Sequence, residues 1–338
     1  MSVADAPTSI LPQPPYPWFV DPWQSLVNRV DQERLPHALL VSGAKGIGTL
    51  GFAQAFAQFL LCVAPQQGQS CRSCKSCQLV EAGTHPDLKF VAPDTPTSQI
   101  KIDQIRSQQD FLANTPQQGG RKVLVLSPSE KMNVNAANAL LKNLEEPGKD
   151  TFFLLVSYEP AQLMATVRSR CSMVPLLMPK QESALQWLAR HQVEDAMSLL
   201  NLAGGKPLTV LEWVDEGTLA QMEALESSLI ALLEQKLGFI DVAKKWSSFP
   251  PLWVVEHLMS IILHTLRDIK RQTISNQLQQ LLGEAPELNL HKLYEELLTN
   301  KRRLLSGANP NNALMMEALA MAWGSTLNTY LKASLKPS

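Results

Sequence analysis

Two stretches, "RKVLVLS" (121–127) and "TFFLLVS" (151–157), are apolar along most of their length. A strand with one wet face alternates apolar and polar residues, whereas a strand covered on both faces runs apolar throughout. Each stretch therefore reads as an inner strand of a parallel sheet. "HALLVSG", "DLKFVAP" and "SMVPLLM" add three further strand signals. Parallel neighbours need a crossover, and helix patterns stand in the intervals. "TLGFAQAFAQFLLC" is one, a helix from near Asp103 is the second, and "NVNAANALLKNLEEP", stopped by Pro147, is the third. A further helix precedes the first strand, with Asp21 as cap and Pro22 in the first turn, running to about Gln32. Alternation of this kind predicts an α/β domain with a parallel sheet.

Past Cys171 the strand signals fade. Short helices separated by "AGGKP" extend to about Trp213, and from there the pattern is helical, as in "PLWVVEHLMSIILHTLRDIKRQ". The expected fold class is α/β plus all-α, in three domains: 1–172, 173–211 and 212–338. The Pro-rich start, "MSVADAPTSILPQPPYPW", reads as extended until Trp18. At 338 residues each domain can bury a core, and a net charge of −1 provides no overall attraction to nucleic acid. No run reaches eighteen apolar residues and no basic segment precedes an apolar one at the N-terminus, so a cytoplasmic location is the default expectation.

The first strand leads into Gly43-Ala-Lys-Gly-Ile-Gly-Thr-Leu50, which has the outline of a phosphate-binding loop. In such a loop the second glycine of G-x-x-x-x-G-K-[ST] is followed by a lysine for the terminal phosphates and a hydroxyl for magnesium. Here Gly43 and Gly48 fall correctly, but Thr49 replaces the lysine and Leu50 the hydroxyl. Lys45 lies within the loop at a position that need not face phosphate. The amides of Gly46 to Thr49 could still cradle an anion. The acidic motif fails too: the third strand ends in Ser127-Pro128 where an active hydrolase carries Asp-Glu. Two separate losses favour a chain that does not hydrolyse ATP, with the loop kept as a strand-to-helix turn.

Four of the five cysteines, Cys62, Cys71, Cys74 and Cys77, fall in one short segment. In a cytosolic chain that clustering indicates metal before disulfides, and Cys-x2-Cys turns place two thiolates on a tetrahedron. Four thiolates around zinc close the coordination, so the ion would be a structural staple at 62–77. An iron-sulfur cluster is the chemical rival, but the Cys-Pro that would continue a ferredoxin motif is absent. His85 is a possible competing ligand, although "GTHPD" reads more as a turn entering the next strand, and Cys171 reads as a small buried apolar residue. Arg72 and Lys75 between the ligands are a solvated loop before they are a DNA contact.

Taken in order, "HALLVSGAKGIG", the cysteine insertion, "GTHPDLKFV", "NAANALLKNLEEP", "FFLLVS" and "VRSRC" resemble the bacterial clamp-loader family of AAA+ proteins. The likeness is strong over the first two domains and weak over the third, through "NPNNALMMEALAMAW". It implies an AAA+ type domain with a zinc insertion, a small helical lid and a helical collar, in a subunit of a five-membered ring. The degenerate loop corresponds to the ring's rigid, non-hydrolysing member, with no ATP in its own site. Implied partners are gamma/tau-type ATPase subunits and a clamp-opening delta subunit. Through that complex of the DNA polymerase III holoenzyme they include the sliding clamp and primed DNA. By resemblance, Ser169-Arg170-Cys171 carries an arginine finger, Arg170, for a neighbour's nucleotide, with Arg168 the nearby decoy. A planar, permanently charged guanidinium suits the charge that grows on a transferred phosphoryl group. Leu208 stands near the place where active relatives carry a sensing arginine.

Glu145-Glu146-Pro147 reads as a helix end and not as a catalytic carboxylate pair. Lys301-Arg302-Arg303 reads as a solvent-facing stripe, and Trp18, Trp23, Trp246, Trp253 and Trp323 as core or interface anchors. Two other functions stay open on residues alone. An AAA+ ATPase with an atypical loop would bind and hydrolyse MgATP by itself, whereas a zinc-dependent DNA-binding protein would bind DNA in a salt- and chelator-sensitive way.

Overall fold

The computed structural model describes residues 13–334, except 97, 119, 272–275 and 306–310, with backbone alone over 326–334. Residues 1–12, read above as extended, lie outside the described residues. The chain forms two compact units, Met1–Val210 and Leu211–Ser338.

In the first unit, α1 (Val20–Asp31) leads to β1 (Ala38–Ser42), α2 (Thr49–Leu61), α3 (Lys75–Glu81) and β2 (Leu88–Val91). Two short helices, α4 (Ile102–Arg106) and α5 (Gln109–Ala113), precede β3 (Lys122–Leu126). Then come α6 (Val134–Glu145), β4 (Thr151–Ser157), α7 (Ala165–Arg168) and β5 (Ser172–Pro175). Helices α8 (Gln181–Arg190), α9 (Ala196–Leu202) and α10 (Pro207–Asp215) follow, the unit boundary falling within α10. The sheet order is β2-β3-β4-β1-β5, with every pair parallel. In β1, Leu39 and Val41 face a core with Phe52 and Phe56 of α2, while Ala38 and Leu40 face a second core with Leu140 and Leu144 of α6. Covering both faces is what makes the strands apolar at successive positions.

Two expectations are corrected. The boundary at 172 cuts the sheet: β5 begins at Ser172, pairs with β1 from Leu39↔Ser172 to Ser42↔Pro175, and is continued by Leu176 N donating to Ser42 O. Asp21 is not a cap. A 3-10 turn, Pro17–Phe19, leads into α1 and Phe19 occupies the capping position. Asp21 instead lies in the first turn, where the helix dipole favours negative charge.

The second unit is helical: α11 (Thr218–Leu233), α12 (Phe239–Trp246), α13 (Pro251–Arg271), α14 (Gln277–Gly283), α15 (Glu287–Leu305) and α16 (Asn312–Ser334). Trp246 and Trp323 are fully buried in its core. Trp246 Nε1 donates to Ser228 Oγ at 2.8 Å, which donates to Leu225 O, so the indole is anchored at its polar edge as well as packed. Trp253 is partly buried on this core. Of the basic run, Lys301 pairs with Glu256 at 2.9 Å, while Arg302 and Arg303 are exposed.

Lys122 opens β3 yet is only 1% exposed. Its Nζ donates to Phe111 O at 2.8 Å, to Leu112 O at 2.9 Å and to Asn114 O, the carbonyls that end α5. A helix leaves its last carbonyls without partners, and this ammonium serves three of them in the dry interior. Burial lowers its pKa, opposed by the Asp87 carboxylate. Lys122→Met keeps the aliphatic stem and strands the carbonyls. Urea unfolding should show a loss of about 3 kcal/mol.

Candidate functional site

The glycine loop joins β1 to α2 in the expected geometry. Gly46 and Gly48 have φ of 88° and 97°, left-handed values that a side chain resists, and Gly43 N donates to Ser157 O of β4 at 3.1 Å. Its interior is folded onto itself: Thr49 Oγ1 donates to Ala44 O at 3.0 Å. Lys45 is exposed. The loop is also covered by the rest of the unit. Trp18 Nε1 donates to Ile47 O at 2.9 Å, and Leu208 N, at the start of α10, donates to Gly46 O at 3.0 Å. Tyr16 stacks on Trp18 at 5.3 Å and meets Trp187 of α8 edge-on at 5.9 Å. A methyl group at Gly48 would lie 2.1 Å from Tyr16 Cε2, and one at Gly46 2.1 Å from Thr209 Oγ1. Aromatic rings and the first turn of α10 thus lie against the loop at Gly46 and Gly48.

At the acidic-motif position, Ser127 is buried at the end of β3. The nearest downstream carboxylate, Glu130, accepts from Tyr158 N at 3.0 Å and so ties this turn to the end of β4. Leu208 contributes its amide to the loop, not a charge.

The Ser169-Arg170-Cys171 segment follows α7, and the structure separates Arg170 from Arg168, the last residue of that helix. Arg168 is half-buried and donates from Nη1 to Pro160 O at 3.0 Å, a structural tie. Arg170 is exposed. Its Nη1 donates to Thr166 O at 2.9 Å, and its Nε donates to Glu145 Oε1 at 2.7 Å, with Nη2 on the same oxygen. Ser169 Oγ also donates to Thr166 O, at 3.1 Å, which closes the end of α7. An exposed ion pair contributes roughly 0–1 kcal/mol, so this one orients the guanidinium more than it stabilises the fold. Cys171 is half-buried against the α6 core, and burial raises its thiol pKa to about 11.

The cysteine cluster stands at the other end of α2. Cys62 is the C-cap of α2, Cys74 the N-cap of α3, and Cys77 lies within α3. All four Sγ atoms lie within 4.8 Å of one another, with Cys62 and Cys71 at 3.5 Å and Cys71 and Cys77 at 4.0 Å. A tetrahedron with metal–sulfur bonds of about 2.3 Å has edges of about 3.8 Å, so the set fits one ion. Backbone amides are aimed at the sulfurs: Cys71 N to Cys62 Sγ, Cys74 N to Cys71 Sγ and Cys77 N to Cys74 Sγ. Such bonds favour thiolates. The amide of Ser73 is the main cause of a Cys71 pKa lowered to about 6, whereas burial raises that of Cys62. His85 is not a fifth donor. Its Nδ1 accepts from Asp87 N at 3.0 Å, which leaves Nε2 as the donor to Ser76 Oγ at 2.8 Å, and Ser76 Oγ donates to Leu61 O. Both ring nitrogens are committed, and burial keeps the imidazole neutral by lowering its pKa.

Two participants escaped the residue-level reading. Glu145 was assigned to helix termination, and pairing with Arg170 requires knowing that α6 and α7 end side by side. Tyr16 lies in a Pro-rich segment with no periodic signal.

Comparison with known proteins bears on the same segments. Residues 20–180 match the family described as DNA polymerase III, delta subunit. The chain is 36% identical over 322 residues to the DNA polymerase III subunit delta' of Pseudomonas aeruginosa, covering 92% of this chain and 97% of that one. It is 33% identical to the subunit of the same name from Yersinia pestis, over 93% of this chain and 96% of the relative. A solved DNA polymerase III gamma subunit-related protein from Thermotoga maritima is similar in fold, with a TM-score of 0.53 at 18% identity, covering 90% of this chain and 99% of that one.

The packing of Tyr16 on the loop makes a testable demand. Gly48→Ala should cost about 1–3 kcal/mol in urea unfolding, from backbone strain plus the clash. In a Tyr16→Ala background the same change should cost measurably less, since only the strain then remains.

Proposed function

We propose that this chain, which belongs to the DNA polymerase III delta-prime family, serves as the non-hydrolysing subunit of a clamp-loader complex and lends Arg170 to a neighbouring subunit's nucleotide. The observation that carries this reading is a contrast within one unit. The chain's own loop carries Thr49 at the lysine position and Leu50 at the magnesium-hydroxyl position, β3 ends without an acidic pair, and Tyr16, Trp18 and the start of α10 pack against the loop. Arg170, in contrast, is exposed and held out from the end of α7. A group that meets charge growing on a phosphoryl in another subunit has to be at a surface, permanently charged and pre-oriented. Arg170 meets each condition, and Arg168, bound to Pro160 O, does not.

The complex we infer joins this chain to gamma/tau-type ATPase subunits and a clamp-opening delta subunit, and uses ATP to place a sliding clamp on primed DNA. The division into AAA+ type domain, helical lid and helical collar belongs to the same reading, with the first boundary moved past Pro175 to keep β5 in the sheet. Zinc is the metal proposed for Cys62, Cys71, Cys74 and Cys77. Four thiolates leave it no open position, so it would supply no chemistry and would fix the connection between α2 and α3.

Two measurements test this. In complex reconstituted with gamma-type and delta subunits, Arg170→Ala should lower DNA-stimulated ATP hydrolysis by at least about tenfold, since removal of such an arginine commonly removes 10³ or more at its own site. Unchanged hydrolysis would sink the assignment, and MgATP turnover by the isolated chain would replace it with an atypical ATPase. For the metal, elemental analysis should find about one zinc per chain. A Cys74→Ser/Cys77→Ser variant should lose it and melt at lower temperature; a metal-free parent protein of unchanged stability would refute the staple.

A further inference from the structure

We infer that Glu145 is a positioning residue: it holds the Arg170 guanidinium in the orientation that a neighbour's phosphate takes. The inference rests on the reading of Arg170 given above and assigns a new role to the acidic residue that ends α6.

A guanidinium has five N–H donors. Nε of Arg170 donates to Glu145 Oε1, Nη2 is in ion-pair contact with the same oxygen, and Nη1 donates to Thr166 O. At least one N–H therefore remains on each terminal nitrogen for a phosphate to take. Both clamps come from helix ends. Thr166 O is one of the last carbonyls of α7, where a cation is favoured. Glu145 is the last residue of α6, where the helix dipole disfavours a carboxylate, so its charge needs a cation beside it.

A plain surface salt bridge explains the contact but not its geometry. A long exposed arginine loses several rotors when it docks against a partner, and that loss weakens binding or slows chemistry unless the side chain is already ordered. With 36% of the Arg170 side chain and 49% of the Glu145 side chain exposed, the pair stays within reach of a partner while its hydrogen bonds hold the guanidinium.

The test uses the complex reconstituted with gamma-type and delta subunits, and reads MgATP hydrolysis stimulated by primed DNA and clamp. The variants are Arg170→Ala, Glu145→Ala, Glu145→Gln and the double Arg170→Ala/Glu145→Ala. Glu145→Ala should lower kcat by roughly three- to tenfold with little change in KM for ATP, as expected for a misplaced rather than missing group. Glu145→Gln retains an accepting oxygen and should stay within about twofold of the parent. The double variant should be no slower than Arg170→Ala alone, because a residue acting through Arg170 has nothing left to position. If Arg170→Ala itself matches the parent, the finger reading fails. If Arg170→Ala is impaired while Glu145→Ala is not, or if the Glu145→Gln loss equals that of Glu145→Ala, or if the two alanine losses multiply, the positioning role alone is overturned.

Discussion

Parallel pairing of β1 with both β4 and β5 is the constraint on which the rest of the site depends. Strands that run the same way release their chains at the same edge, so the glycine loop after β1, the Ser127-Pro128 turn after β3 and the segment after β4 all emerge there. Hydrogen bonds knit that edge together: Gly43 N to Ser157 O, Tyr158 N to Glu130 and Leu176 N to Ser42 O. An enzyme with this topology gathers its phosphate loop and its acids at one edge by default. Loss of the charged side chains does not loosen the edge, because its geometry comes from the sheet.

Aromatic surface packs against the glycine loop: Tyr16 lies on Gly48, Trp18 donates to Ile47 O, and Trp187 meets both rings edge-on. Two of the loop's carbonyls, at Gly46 and Ile47, are bonded to Leu208 N and Trp18 Nε1. These contacts tie the start of the chain and the start of α10 to the same turn, which stiffens it. The cysteine cluster acts at the opposite end of α2. Thirteen helical residues at about 1.5 Å each separate the loop from Cys62 by roughly 20 Å, too far for an ion there to reach a nucleotide. One helix thus has aromatic packing at its N-terminus and the cysteine cluster at its C-terminus, where Cys62 is the cap.

The sheet was legible because its three inner strands, β1, β3 and β4, are covered on both faces, which writes unbroken apolar runs into the chain. The cysteines were legible because metal ligation sets local spacing. β5 was cut by the expected boundary because an edge strand with Met173 and Pro175 exposed has no unbroken apolar signature. Asp21 reads as a cap because Asp-Pro is a strong local signal, but α1 starts two residues earlier, with Phe19 in the capping position and packed edge-on against Phe52. His85 stays a possible ligand on sequence alone, because its commitment to Asp87 N, in the turn before β2, and to Ser76 of α3 arises only in the fold, while burial lowers its pKa.

Glu145 illustrates the general limit. Its sequence neighbours, Glu146 and Pro147, account fully for a helix end, and nothing local distinguishes the two glutamates. The distinction arises only when α6 and α7 terminate beside each other, so that one carboxylate reaches a guanidinium twenty-five residues away in sequence. A carboxylate next to a cation also lowers the charge that the cation presents, which would work against a finger if the pair were sealed from water. Here both partners stay partly exposed, so solvent screens the carboxylate's field while the hydrogen bonds that fix the orientation persist. Closing a neighbouring subunit over Arg170 would strip that screening. The N–H groups left on the terminal nitrogens would then need acceptors in place of water, and a phosphate opposite them would supply those.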